Sequence, residues 1–309
     1  MSKKILVTGA NGFVGQHLAK ELANHGYNVA GIGGNNIPPP NLTFFDEYLS
    51  LDLLDTTTVN KISFKDVDSV IHLSGLAAIG PSYDQPMNYI TTNIGLELNL
   101  FETAIKQKMF PRFLIISSGS LYSSLEKLPL DESSHVIPSS PYAVSKLGQE
   151  NLAQYYLSRG FECIIARPFN HIGPGQGPGF IVTDLIEQIK LVKEKHKSII
   201  SVGDLSTKRD YTDVRDIVRA YRLLIERGRP GEIYNVCSGK SISGEEILSR
   251  LIKLSGVKAK IVIDKNKYRP SDIKDIYGSY DKLARDTGWS PAIDIDITLR
   301  DALTNYLDK

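Results

Sequence analysis

Cysteine is scarce in this sequence: Cys163 and Cys237 are the only two in 309 residues. Two thiols build neither a disulfide framework nor a cysteine metal cluster. Each sits in an apolar, strand-like run, so both are expected as buried, reduced thiols, and no metal site is expected. Excess charge is missing as well. Lys and Arg number 36 against 35 Asp and Glu, a formal net charge of +1. That balance gives no electrostatic case for a nucleic-acid or membrane-surface partner. No stretch approaches the roughly 20 apolar residues of a membrane span. The apolar run in "MSKKILVTGA" is too short for a secretory signal, so the cytoplasm is the expected location. The single tryptophan, Trp289, reads as a packing aromatic of the C-terminal part. Repeats and low-complexity tracts are absent. What is present is enough chain, 41% of it hydrophobic, for a large buried core.

The first two-thirds alternates short apolar runs with longer amphipathic ones. "KKILVT", "YNVAGI", "DSVIHLS", "RFLIISS" and "FECIIAR" read as buried strands. Helices are expected between them, over 87–106 and 141–159 among others. Continuous apolar strands alternating with helices imply a parallel sheet covered on both faces. After Arg167 the texture changes. "PFNHIGPGQGPGF" is dense in Gly and Pro and reads as a long irregular loop. Helices over 181–195 and 243–255, the strands "SIISVG", "EIYNVCSG" and "AKIVID", and two closing helices follow. The expected division is a sheet domain over 1–167, rejoined by about 208–237, and a smaller lobe from 168–207 and 238–309.

"KKILVTGANGFVGQHLAKEL" places Gly9, Gly12 and Gly15 where a strand turns into a helix. Small residues there let the backbone turn tightly and approach a pyrophosphate, and the helix N-terminus offers free N–H groups. Asn11, Phe13 and Val14 belong to the same loop and are assigned with it to a dinucleotide. Such a site usually shows, some twenty residues on, an acid for a ribose hydroxyl or an Arg for a 2′-phosphate. The second strand ends instead in "GIGGNN", where Asn35 is the candidate ribose contact. NAD(H) and NADP(H) therefore stay open.

"SPYAVSK" places Tyr142 and Lys146 four residues apart, with Pro141 suited to open a helix. An ammonium beside a phenol favours phenolate and lowers its pKa from about 10. The pair alone also fits an exposed Lys beside a packed Tyr.

Together "TGANGFVG", the "SS" before Tyr122 and "YAVSK" resemble the extended short-chain dehydrogenase/reductases that act on nucleotide sugars, over the whole chain. The resemblance implies a Rossmann-type doubly wound parallel sheet with a smaller C-terminal α/β substrate lobe. It implies a catalytic trio of Ser118, Tyr142 and Lys146. It assigns Asp52 and Leu53 of "LDLLD" to the adenine segment. Leu73, Ser74 and Gly75 of "IHLSG" go to the loop beside the cofactor phosphates, and Asn93 joins the cofactor set. Ser120 and Asn170 are implied substrate contacts. Arg209 and Arg269 stand in segments that grip the sugar nucleotide, and a guanidinium suits its diphosphate. His171 is left outside the catalytic set.

Dehydratases of this family carry Glu at the position of Ser120, and fucose-synthase-type epimerases carry Cys at that of Gly119. Neither a carboxyl nor a thiol stands here. The implied chemistry is reduction of the C4 keto group of a 4-keto-6-deoxyhexose nucleotide, with a GDP-sugar expected first and GDP-D-rhamnose as product. The alternative is a 4-epimerase with retained NAD, and more remotely a non-catalytic dinucleotide sensor. By the same resemblance the two long helices pair into a four-helix homodimer interface.

Overall fold

The computed structural model describes residues 2–34, 42–123, 126–265 and 273–308. Asn35 and Arg269, both expected ligand contacts, lie outside the described residues. In chain order the first part runs β1 (Lys4–Thr8), α1 (Phe13–Asn24), β2 (Asn28–Gly33), β3 (Glu47–Ser50), α2 (Thr56–Val59) and β4 (Val67–His72). It continues through α3 (Ile79–Asp84), α4 (Pro86–Lys106), β5 (Arg112–Ile116), α5 (Pro141–Leu157) and β6 (Cys163–Pro168). Then come β7 (Asn170–Ile172), α6 (Ile181–Lys193), β8 (Ile199–Val202), β9 (Lys208–Asp213), α7 (Val214–Arg227) and β10 (Ile233–Val236). The chain closes with β11 (Ser241–Ser243), α8 (Gly244–Ser255), β12 (Lys260–Ile263), β13 (Asp275–Ile276), α9 (Asp281–Thr287) and α10 (Ile295–Leu307).

Seven strands form one parallel sheet in the order β10-β6-β5-β4-β1-β2-β3. Of the apolar runs predicted as strands, two are β8 and β12, and the other six are this sheet's β1, β2, β4, β5, β6 and β10. Their continuity has a reason: helices cover both faces. On one face Leu18 and Leu22 of α1, with Ile217, Tyr221 and Leu224 of α7, bury against the sheet. On the other, Leu100 and Phe101 of α4 meet Ala153 and Tyr156 of α5. Strand order reverses beside β1, and at that switch the carboxyl ends of the strands open a crevice for ligands.

A smaller sheet joins β11, β9 and β13, with β7 paired to β9; β8 and β12 form a separate parallel pair. Apolar residues of α6, α8 and α10 build a core of their own beside them, around Ile189, Leu251 and Leu299.

Two expectations are corrected here. The return of the chain to the large sheet begins at α7, not at residue 208, because β9 hydrogen-bonds only within the smaller sheet. Trp289 is a packing aromatic, but in the core of the large sheet: it is fully buried with Leu283 and Tyr221, and its indole N–H donates to Asp216 O at 3.0 Å. Cys163 and Cys237 are both free and buried. No helix among the described residues is long and apolar enough to cross a membrane.

Candidate active site

The glycine loop leaves β1 and enters α1 with little room to spare. Gly9 sits at φ +66°, and a Cβ on it would stand 3.0 Å from the backbone of Leu73 and Ser74. Gly12 N–H donates to Gly9 O at 3.0 Å, closing the turn. A Cβ on Gly15 would lie 2.3 Å from Gly9 O, so only glycine lets α1 start this close to the strand. Among the described residues no side chain caps the N-terminus of α1, which leaves its first N–H groups for a ligand. Asn11 donates to Gly34 O at 3.2 Å and so ties the loop to the end of β2. A Cβ on Gly33 would stand 2.0 Å from the Tyr48 hydroxyl oxygen and 2.8 Å from the Asn11 side chain. Phe13 offers backbone here, because its ring is stacked on His171 at 6.3 Å and edge-on to His17 at 5.5 Å; Val14 is partly buried in the core. This cradle fits a dinucleotide pyrophosphate.

The loop after β4 lies beside it. Ser74 N–H donates to Thr8 Oγ1 at 3.2 Å, and Gly75 adopts φ +154° with a Cβ position only 2.8 Å from Asn93 Oδ1. Asn93 is fully buried, and its amide is spent within the protein. Its Oδ1 accepts from Leu76 N, and its Nδ2 donates to Leu76 O and, at 2.8 Å, to Ser145 Oγ. The expected cofactor contact from Asn93 is therefore corrected to a brace that holds the loop against α5. Leu53 can meet a cofactor through its backbone alone. Its side chain is in the core, 3% exposed, and its carbonyl accepts from Asn99 at 2.8 Å; exposed Asp52 is the member of that segment that faces solvent.

The expected trio comes from two elements. Ser118 follows β5 and caps a 3-10 turn over Gly119–Leu121, accepting from Ser120 N at 3.1 Å. The two hydroxyls, Ser118 Oγ and Ser120 Oγ, are 2.9 Å apart. α5 starts as its sequence demands: Ser140 is the N-cap, accepting from Ala143 N, and Pro141 is the first helical residue. Tyr142 and Lys146 then share a face one turn apart. Both are 8% exposed, and the Lys146 Nζ stands 6.0 Å from the Tyr142 ring centroid. Nζ donates to Ile116 O and to Gln149 Oε1, each at 2.8 Å. An ammonium has three donors, so one remains for a ligand.

The electrostatics correct a further expectation. Burial pushes the Tyr142 phenol up, not down; the hydrogen bond with Ser118 opposes that push without reversing it. Burial instead lowers Lys146, to about 8, against the opposing pull of Glu97 and Glu150. The Ser118–Tyr142 contact places the proton-bearing phenol and the hydroxyl clamp side by side.

The residues expected at the substrate end gather where β6 passes into β7. A Cβ on Gly119 would meet the Phe169 ring at 2.9 Å, so the Ser118 turn packs directly on this junction. Asn170 is exposed there, paired with Tyr211 of β9 and hydrogen-bonded to its phenol. Arg209, two residues earlier on the same strand face, is half-buried and donates to Lys208 O at 2.7 Å. His171 bonds Phe169 O, and burial lowers its pKa, so it is a neutral packing group. Tyr122 is also a packing residue: 1% exposed, its hydroxyl donates to Asn235 at 2.6 Å under the Arg167 guanidinium. Sequence reasoning missed Tyr211. The signal was the period-2 alternation of "RDYTD", which puts residue 211 on the face of Arg209.

A glycine cradle after the first strand of a doubly wound sheet, with a Ser–Tyr–Lys trio at the same edge, defines a dinucleotide-dependent oxidoreductase of the extended short-chain type. Residues 6–302 match the family described as GDP-mannose 4,6 dehydratase, and the chain belongs to that family. Among relatives, a GDP-6-deoxy-D-mannose reductase of Pseudomonas aeruginosa is 34% identical, over 99% of this chain and 98% of that one. A putative UDP-glucose 4-epimerase of Methanocaldococcus jannaschii is 30% identical over 94% of each. The solved structure of RMD from Pseudomonas aeruginosa complexed with NADPH superposes with a TM-score of 0.88 at 33% identity, covering 99% of both chains.

Proposed function

We propose that this protein reduces the C4 keto group of a 4-keto-6-deoxyhexose carried on a nucleoside diphosphate, with GDP-4-keto-6-deoxy-D-mannose as substrate and GDP-D-rhamnose as product. The observation that carries it is the Ser118–Gly119–Ser120 turn. It sets two hydroxyls 2.9 Å apart beside Tyr142, where elimination of water needs a carboxyl acid. What the trio supplies is one proton and a clamp for a developing oxyanion. A nicotinamide dinucleotide held by the Gly9, Gly12 and Gly15 cradle supplies the hydride; the similarity to a reductase, and to a structure complexed with NADPH, supports that choice. Tyr142 gives its proton to the substrate's carbonyl oxygen as charge builds there, and Ser118 donates a hydrogen bond to the same oxygen. A phenol kept protonated by burial is in the form this step needs. Lys146 keeps one N–H for the cofactor ribose and places positive charge behind the phenol. Asn170, Tyr211 and Arg209 line the sugar-nucleotide end.

We read the protein as a cytoplasmic homodimer. Met87 and Leu98 on α4, and Val144 and Tyr155 on α5, are exposed apolar side chains on two helices packed together, the composition of a helical interface.

The test is oxidation of NADPH and of NADH, offered separately, with GDP-4-keto-6-deoxy-D-mannose and product analysis. Stoichiometric oxidation with a GDP-6-deoxyhexose product supports the reading. The 30% identity to a putative 4-epimerase favours one rival. Purified protein that carries bound NAD, consumes no reductant and interconverts C4 configurations of a nucleotide sugar would establish that rival instead.

A further inference from the structure

Behind the trio lies a carboxyl group that the reaction above does not use. Glu97, on α4, is fully buried, and neither of its oxygens has a hydrogen-bond partner. A carboxyl buried this way costs several kcal/mol unless something nearby answers it. Its position follows from the register of two parallel helices. Asn93 of α4 bonds Ser145 of α5 at 2.8 Å. One turn further along each helix stand Glu97 and Gln149. Gln149 is also fully buried. Its Oε1 accepts from Lys146 Nζ at 2.8 Å, while its Nε2 has no partner of its own and is directed to the Glu97 carboxyl. Two unsatisfied groups, an amide donor and a carboxyl acceptor, thus face each other across the helix pair, one residue removed from the site lysine.

We propose that Glu97 is a positioning residue for Lys146, acting through the Gln149 amide. The inference rests on the reading of Lys146 as part of the reacting trio. An acceptor at Glu97 fixes which way the Gln149 amide points: Nε2 towards the carboxyl, and therefore Oε1 towards Nζ. Lys146 is then held as a donor, with its remaining N–H free for a ligand.

The surrounding charges single out Glu97. Lys146 is faced by His72 from β4, Glu97 from α4, and Glu150 and Tyr142 from its own helix. His72 is kept neutral by burial, at about 3. Glu150 is already committed to Arg167 of β6 through bonds of 2.8 and 2.7 Å, and it also accepts from Ser117. Cys163 of β6 is held neutral as well, pushed up to about 12. Glu97 is the carboxyl in this group without a counter-ion, and burial raises it well above the ordinary carboxylate range. As pH rises, Glu97 ionises beside Lys146, and its negative charge keeps the lysine an ammonium to higher pH than a neutral neighbour would.

The experiment compares the wild-type holoenzyme with Glu97→Gln, which keeps shape and removes the charge. The pH profile of NADPH oxidation by the keto sugar has an alkaline limb where the Lys146 ammonium is lost. With the carboxylate gone, that limb moves to lower pH by roughly half a unit or more. Gln149→Leu, which removes the bridge, moves it the same way and serves if Glu97→Gln does not fold. A limb at the wild-type pH in the folded variants overturns the proposal. Infrared pH titration of the same proteins, loaded with NADPH, decides the matter without a sugar substrate. Wild type keeps a buried carboxylic acid carbonyl band at pH values where an ordinary carboxyl is already ionised, and Glu97→Gln lacks it. If wild type turns over no keto sugar, the proposed function falls, while the infrared result still decides the role of Glu97. Identical spectra from the two proteins overturn that role.

Discussion

At the scale of single residues, the site is a problem in how burial shifts protons. Tyr142 is 8% exposed and kept protonated, so its proton is available when the substrate oxygen gains charge. Tyr142→Phe removes the hydroxyl, and with it that proton and the hydrogen bond with Ser118. Turnover falls by roughly 10²- to 10⁴-fold, while NADPH affinity, measured by fluorescence titration, stays near wild type. Full turnover in the variant would remove Tyr142 from the mechanism. His72 carries a second prediction. Its folded pKa is depressed to about 3 from 6.5 by burial. The folded state then binds fewer protons than the unfolded chain between those values, so the stability tied to neutral His72 is complete above pH 6.5 and is lost as pH falls towards 3. The urea midpoint falls between pH 7 and pH 4, and it falls less in His72→Gln. The placing of Tyr142 and Lys146 on one helix face was legible in the sequence, since a cap, a proline and a four-residue spacing are local; Ser118 rested on the family resemblance alone. The direction of the Tyr142 shift was not, because it depends on how deep the phenol lies.

At the scale of elements, α5 does two jobs. Its first two turns present Tyr142 and Lys146. Its third turn fastens the helix to the sheet through Glu150, which grips Arg167 of β6 with both side chains about 5% exposed. Glu150→Ala leaves the guanidinium buried without its partner, a loss of about 3–5 kcal/mol that equilibrium urea denaturation reads directly. Arg167→Met in the same background recovers part of that loss, because an unpaired buried charge costs more than an apolar side chain of like size. The strands of the large sheet were legible because helices cover both faces and make them continuously apolar. β3 was not: it is an edge strand, "EYLS", with every side chain exposed or half-exposed. β7, β9, β11 and β13 are two to six residues each and find partners far away in sequence, and no local pattern encodes such pairing. The same limit hid Glu97, whose meaning depends on which residue of α5 it meets.

At the scale of the whole molecule, the core of the large sheet carries the glycine cradle and the trio, and the smaller part carries β7 and β9, which the proposed function assigns to the sugar nucleotide. The Phe13–His171 stack, and the His17 bond to Pro174 O at 2.8 Å, tie the two together beside the glycine loop. The outer face of α4 and α5 is free of these tasks. If it is a homodimer interface, Leu98→Glu combined with Tyr155→Glu places charge where two copies meet, and sedimentation velocity shows a monomer where wild type sediments as a dimer. A monomeric wild type would set that reading aside and leave the chemistry untouched.

The crowding around Gly33 bears on how this loop can change. A carboxylate at the end of the second strand is the usual grip on an unphosphorylated ribose. A carboxylate at residue 33 meets crowding here, because its first side-chain atom would fall 2.0 Å from the Tyr48 oxygen and 2.8 Å from the Asn11 side chain. Both side chains have to turn aside before a larger residue fits, so a change at this glycine carries its neighbours with it. Any shift of ribose preference made at this point is a change to three residues on two strands and a loop, and not to one contact.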